Sequence, residues 1–320
     1  MKLRRRQQNG RIEAEILAAD RWVSAAAATE RLASSNAMDG NDILGLLALP
    51  AEAQARLVAA AQDCPPSADA GAPPVPPFEP RSFRDFMLYE THAIDAARGF
   101  VKRFMPGAAR IVDGYERITG RTFPKLKPHA LWYRQPIYYF GNHLSFAADG
   151  ETIAIPGFTR ALDYELELGF VLSQGLLDAT PAEAERAIGG FVVINDFSAR
   201  DVQLDEMRSG FGPQKAKHFA SAVSAVVVSA DEILPRWQTL GATVHLNGAP
   251  VALCSTAGAR WSLGEVLAHA SRGERLHAGE LFGTGTLPGG SGIETGRLLA
   301  SGDTISLAID GIGTLTNHIA

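Results

Sequence analysis

Between Leu162 and Leu172 the sequence runs Leu-Asp-Tyr-Glu-Leu-Glu-Leu-Gly-Phe-Val-Leu, with carboxylates set among apolar residues. On a strand, side chains alternate between faces. Glu165 and Glu167 then share one face about 6–7 Å apart, opposite Tyr164, Leu166 and Leu168. Two carboxylates at that range repel by roughly 2–3 kcal/mol at an effective dielectric of ~20. A strand with a wet acidic face tolerates that repulsion, whereas a buried one needs a cation or a raised pKa. Further on, Phe191-Val-Val-Ile-Asn195-Asp196 takes an apolar run straight into a carboxylate, followed by Phe-Ser-Ala-Arg200-Asp201-Val-Gln203. Asp196 either caps a turn ahead of Ser198 and Ala199 or stands as a ligand at the mouth of a buried strand. Two glutamates and an aspartate make an all-oxygen donor set. Mg²⁺, Ca²⁺ or Mn²⁺ suits it, while zinc would want His or Cys nearby.

The elements that must position these groups are mostly short β-runs broken by Gly, Pro and Asn: 152–155, 164–171, 191–194, 222–228, 242–246 and 304–309. Helices are few. Thr180-Pro181-Ala-Glu183 carries a cap, a first-turn proline and a capping-box glutamate, and a second helix is expected from Ser262 to Ala270. Ser82-Phe-Arg-Asp85 resembles a capping box with Asp in place of Glu, and a helical spacing of Ile94, Ala97, Val101 and Phe104 follows. The pattern predicts a mainly β fold with some α, an α+β sandwich or roll, and not an alternating doubly wound one. No GxGxxG opens a helix after a strand, so a dinucleotide site has no support.

Residues 65–80 hold seven of the 18 prolines and read as an extended connector. They divide the chain into a small N-terminal domain (1–64) and a catalytic domain (81–320). The N-terminal part should contribute one or two strands between Arg11 and Ala27 and a short helix after Pro50. It is too short to bury much core alone, so it should lean on the rest.

The 320 residues are 46% hydrophobic and 20% charged with a formal charge of -5, an ordinary globular composition whose acidic excess argues against nucleic acid as partner. Lys2 to Arg6 reads as a solvated terminus. Cys64 and Cys254 form no CxxC, which argues against a disulfide framework or structural zinc. The longest apolar run, 221–230, is too short for a bilayer, and charges interrupt the first thirty residues where a secretion signal needs an unbroken apolar stretch. A cytoplasmic protein without membrane partners is expected.

Taken together, these segments resemble the fumarylacetoacetate hydrolase family over residues 80–320. Glu165-Leu-Glu167 looks like the family's metal pair and Asp196 like its third acidic ligand. Gly283-Thr-Gly-Thr286 and the closing stretch from Gly302 to Asn317 also look familial. The resemblance implies a fourth ligand, Asp85 of Asp85-Phe86, seven residues before a catalytic His92. On its own Asp85 could equally be a helix cap, and His92 an unremarkable helix-face histidine. A histidine base needs an orienting carboxylate on its other nitrogen. Glu294 and Asp95 are the two candidates, with Glu294 favoured. By the same resemblance Lys217 lies beside the metal, and Arg200, Gln203, Tyr139 and Thr286 contact substrate. Without it, Arg200 and Lys217 could equally be surface partners of Asp201 or Asp205. Met87 and Met207 stand where fumarylacetoacetases carry tyrosines, so the resemblance reaches the chemistry more than the substrate.

It implies a divalent cation (Mg²⁺ first, Mn²⁺ or Ca²⁺ as alternatives), a homodimer, and a place in aromatic catabolism. The reaction expected is hydrolysis of a carbon–carbon bond in a β-diketo acid such as an acylpyruvate or a fumarylacetoacetate-like compound. A decarboxylase, hydratase or isomerase of a 2-oxo acid is the alternative within the family. A non-catalytic β-rich binding module with structural calcium is the reading from another class, though it has no use for His92, Lys217 and Arg200.

Overall fold

The computed structural model describes residues 1–8, 10–32, 39–67 and 74–320, so residues 68–73 of the expected connector lie outside the described residues. A 12-stranded sheet organises the chain. Along its main path the order is Arg21–Ser24, Arg11–Ala18, Lys2–Gln8, Val226–Ser229, Ile188–Asn195, Glu165–Leu172, Leu281–Ser291, Phe83–Phe86 and Tyr138–Gly141. A five-stranded sheet holds Ala249–Ser255, Gly241–Leu246, Thr304–Ile309, Gly313–Ile319 and Thr152–Ile153. Sheets dominate and helices pack around them, the α+β class expected.

The two central strands, Glu165–Leu172 and Ile188–Asn195, are buried along their whole length because both faces of the sheet are covered. Alternation decides which core each residue serves. Leu166, Leu168, Phe170, Phe191 and Val193 join Leu263, Val266, Leu267 and Leu307 on one side. Val171, Val192 and Ile194 join Leu3, Ile16, Val23, Leu46 and Leu57 on the other. The described residues among the first 64 therefore extend the main sheet and cover its second face. Their strand Lys2–Gln8 pairs with Val226–Ser229 as well as with Arg11–Ala18. This corrects the reading of Lys2 to Arg6 as a solvated terminus. Ladder hydrogen bonds satisfy its backbone on both edges, Leu3 is buried, and Arg4 pairs with Glu15 and lies over Trp22.

The expected capping box forms at Thr180–Glu183, and the helix expected from Ser262 opens with one as well, at Ser262–Glu265. The other expected box is corrected. Ser82–Asp85 caps no helix, because Phe83–Phe86 is a fully buried strand. It runs parallel to Leu281–Gly283 and antiparallel to Tyr138–Gly141. The following helix, Glu90–Phe104, begins after Tyr89 and carries His92. A second helix, Pro106–Thr119, packs behind it. Among the described residues no helix is long and apolar enough to cross a membrane.

Candidate metal centre and active site

Three strands of the main sheet deliver the acidic groups to one place. Asp85 comes from Phe83–Phe86, Glu167 from Glu165–Leu172, and Asp196 from the residue after Ile188–Asn195. One carboxylate oxygen from each lies within 4.8 Å of the other two, and all three residues are buried. Gly283, on the strand between Asp85 and Glu167, makes the approach possible. A Cβ there would sit 2.4 Å from Asp85 Oδ1 and 2.6 Å from Glu167 Oε2. Those same two oxygens are buried and accept no hydrogen bond from the described residues. Buried acceptors are rarely left unpaired, and two that converge with a third carboxylate fit a hard divalent cation.

Glu165 stands beside this triad with its own partners. Arg200 Nη2 donates to Glu165 Oε1 at 2.7 Å, and Lys217 donates to Oε2. Lys217 also donates to Asp196 Oδ2 at 2.5 Å, as does the Tyr139 hydroxyl at 2.5 Å, while Ser221 donates to Oδ1 at 3.1 Å. Of the four expected ligands, the structure thus brings Asp85, Glu167 and Asp196 together and engages Glu165 with cations. The Asp196 carboxylate caps no turn. Nor are Arg200 and Lys217 surface partners of Asp201 and Asp205. Both are 4% exposed, whereas Asp201 binds Thr159 and the Arg160 amide, and Asp205 pairs with Arg208.

Among the described residues, the buried Asp85, Asp163, Glu165, Glu167 and Asp196 have Arg200 and Lys217 as ion-pair partners, with His92 Nε2 3.9 Å from Glu165. Burial drives the Asp85 carboxyl well above its ordinary range, and the charge of Asp196 adds to it. Burial does the same to Glu167, reinforced by Asp85 and Asp196. Burial also pushes Glu165 upward, but the charges of Arg200, Lys217 and His92 outweigh it and hold that carboxyl below the ordinary range. Burial also raises Asp196 and Asp163, although Lys217 and Arg200 respectively act against it. Of these five carboxyls Glu165, paired with both cations, is thus the one held low.

His92 faces the cluster from the helix Glu90–Phe104. Its Nδ1 lies 3.0 Å from Glu294 Oε2, with the ring tilted off the line of a full hydrogen bond, and its Nε2 lies 3.9 Å from Glu165 Oε1. Glu294 is fixed from behind by the Ser291 hydroxyl at 2.6 Å and the Gly289 amide at 3.1 Å. The competing candidate, Asp95, pairs with Arg98 instead. Thr286 donates to Glu167 Oε1 at 3.4 Å, and Arg200 Nη1 donates to Gln203 Oε1 at 2.9 Å. Sequence reasoning passed over Asp163, Ser221 and Ser291. For Asp163 the signal was available, since it lies two residues before Glu165 and so belongs to the same alternating set.

A model of the fumarylacetoacetate (FAA) hydrolase C-terminal region matches residues 120–320. The chain belongs to the fumarylacetoacetate hydrolase family. Its curated relatives include the oxaloacetate tautomerase YisK of Bacillus subtilis, 32% identical over half of this chain and 53% of that protein. The chain spans between half and two thirds of the length of the curated relatives it matches. Among solved structures it is similar to a fumarylacetoacetate hydrolase from Exiguobacterium antarcticum, with a TM-score of 0.66 and 22% identity over 100% of this chain and 99% of the other. It is also similar to a fumarylpyruvate hydrolase from Pseudomonas aeruginosa in complex with Mn²⁺ and pyruvate, with a TM-score of 0.56 and 22% identity over 76% and 91%. The family's members include hydrolases and a tautomerase.

Gly283 offers a direct check on the cluster. Gly283→Ala inserts a methyl group into the space held by Asp85 Oδ1 and Glu167 Oε2. It should weaken Mn²⁺ affinity by about tenfold or more, measured by calorimetric titration. An unchanged affinity would mean that these two oxygens do not hold the ion.

Proposed function

We propose that the protein hydrolyses a carbon–carbon bond in a β-diketo acid of the acylpyruvate type, with a divalent cation held by Asp85, Glu167 and Asp196. The observation that carries this reading is the His92 ring, backed by Glu294 at Nδ1 with Nε2 turned toward Glu165, which stands beside the three clustered carboxylates. Glu294 favours the tautomer with its proton on Nδ1, which leaves the Nε2 lone pair free to take a proton from water. The resulting hydroxide attacks the distal carbonyl, and cleavage yields a carboxylate and pyruvate, whose methyl group takes up the remaining proton. Lys217 is the fixed positive charge nearest the cluster, suited to stabilising negative charge that develops on substrate oxygens. Arg200, with Gln203 on its Nη1, is suited to the substrate carboxylate. When bound, the cation would supply Lewis acidity to a chelated 2-oxo acid. Its identity among Mg²⁺, Mn²⁺ and Ca²⁺, a homodimeric assembly and a cytoplasmic location belong to the same proposal.

The tautomerase relative supports a second reading, proton transfer at C3 of a 2-oxo acid without bond cleavage, which the same base could perform. Turnover of acylpyruvates in ¹⁸O-labelled water separates the two. Hydrolysis places one ¹⁸O in the newly formed carboxylate. Solvent hydrogen exchange at C3 without any cleaved product would replace the hydrolase reading with the tautomerase one.

A further inference from the structure

Asp163 is fully buried, is not one of the three clustered carboxylates, and has no part in the chemistry proposed above. Its Oδ2 accepts from Arg200 Nε at 2.7 Å and from the Ile293 amide at 2.9 Å, and its Oδ1 accepts from the Tyr164 amide at 2.8 Å. The first bond aims a guanidinium whose outer nitrogens reach Glu165 and Gln203. The second holds the short turn Gly292–Thr295, which carries Glu294. That turn is also the seat of the His92 helix. Gly99 packs so closely on it that a Cβ would lie 2.0 Å from the Ile293 carbonyl oxygen. A single carboxylate thus ties the cation on one side of the site to the turn and helix that present the base on the other.

We propose that Asp163 is a positioning residue that sets Arg200 for the substrate carboxylate and Glu294 for His92 at the same time. The kinetic part of this proposal rests on the hydrolase reading; the structural part does not. Arg200 Nε and the Ile293 amide share Oδ2, so Asp163→Asn keeps one oxygen for both but removes the charge that holds Arg200 and turns an –NH2 toward the Tyr164 amide. Asp163→Ala loses the oxygen as well as the charge. Asn should therefore raise KM for an acylpyruvate by about tenfold with little change in kcat. Ala should in addition lower kcat by about tenfold as the Glu294 turn drifts.

Crystal structures of the wild type and both variants provide a readout independent of turnover. In Asn, with the charge gone, the Arg200 Nε contact should lengthen and the guanidinium shift toward Glu165, while Glu294 stays. In Ala the Glu294–His92 distance should lengthen as well. Should Ala fail to fold, the Asn variant alone still separates the two sides. The proposal is overturned if Arg200 and Glu294 keep their wild-type positions in the variants, if both variants stay within twofold of wild type, or if KM and kcat change alike in Asn and Ala. If the wild type cleaves no acylpyruvate, the hydrolase reading fails, and the crystal comparison still decides whether Asp163 holds both groups.

Discussion

His92→Ala is expected to lower kcat for acylpyruvate cleavage by about 10²–10⁴-fold, the usual worth of a positioned general base. Cation binding should persist, because none of the three clustered oxygens comes from His92. Glu294→Gln should also lower kcat. An amide that keeps its oxygen on the Gly289 N–H turns its –NH2 toward the Ser291 hydroxyl and His92 Nδ1. That favours the wrong tautomer and offers no negative charge to the imidazolium formed in the reaction. The double variant should be hardly slower than His92→Ala alone, as residues that act as one unit are not additive. Steady-state kinetics on the three variants, each shown to bind Mn²⁺, tests this. Full activity in His92→Ala would remove the proposed base, and losses that multiply in the double variant would mean that Glu294 works independently of it.

Cation binding should raise the melting temperature of the wild type and leave that of Glu167→Gln unmoved. With Mn²⁺ at about a hundred times its dissociation constant the gain is about 2.7 kcal/mol, or roughly 4 °C for a chain of this length. Without metal the variant should match or exceed the wild type, because an amide removes one buried charge from a cluster rich in carboxylates. The pH dependence has a definite sign. Asp85 and Glu167 hold protons more firmly when folded than when unfolded, chiefly through burial. Their contribution to apo stability is complete below the ordinary carboxylate range and is lost as pH rises through their raised pKa values. The cation must displace those protons, so its stabilising increment grows with pH across the same window. Melting curves with Mn²⁺ and with EDTA at several pH values measure this. An increment that is flat in pH, or that survives in Glu167→Gln, would place the ion elsewhere.

The sequence made the fold class and the candidate chemistry legible because both rest on short periods. Alternation in Leu162–Leu172 put Glu165 and Glu167 on one face, and an apolar strand leading into Asp196 marked a strand-end carboxylate. Alternation could not say whether that face is wet. Burial of the Glu165–Leu172 strand depends on the remote segments that cover both sides of the sheet, including the N-terminal strand whose basic residues looked solvated. The division of labour between Glu165 and Glu167 was equally hidden. It arises because Arg200 and Lys217, 35 and 52 positions further along, reach Glu165 and leave Glu167 without a cation. Ser82–Asp85 misled for a related reason. A capping pattern is local, and pairing with Leu281–Gly283, some two hundred residues away, overrode it. Asp163 was within reach of the period-two rule, but its partner at Ile293 lies 130 positions away.

The most direct test of the centre is anomalous diffraction from crystals soaked in Mn²⁺. A single strong peak within about 2.0–2.3 Å of oxygens from Asp85, Glu167 and Asp196 is the expected result. Full soaking with no peak there, or a peak bound by other residues, would contradict a metal-dependent role for these three carboxylates.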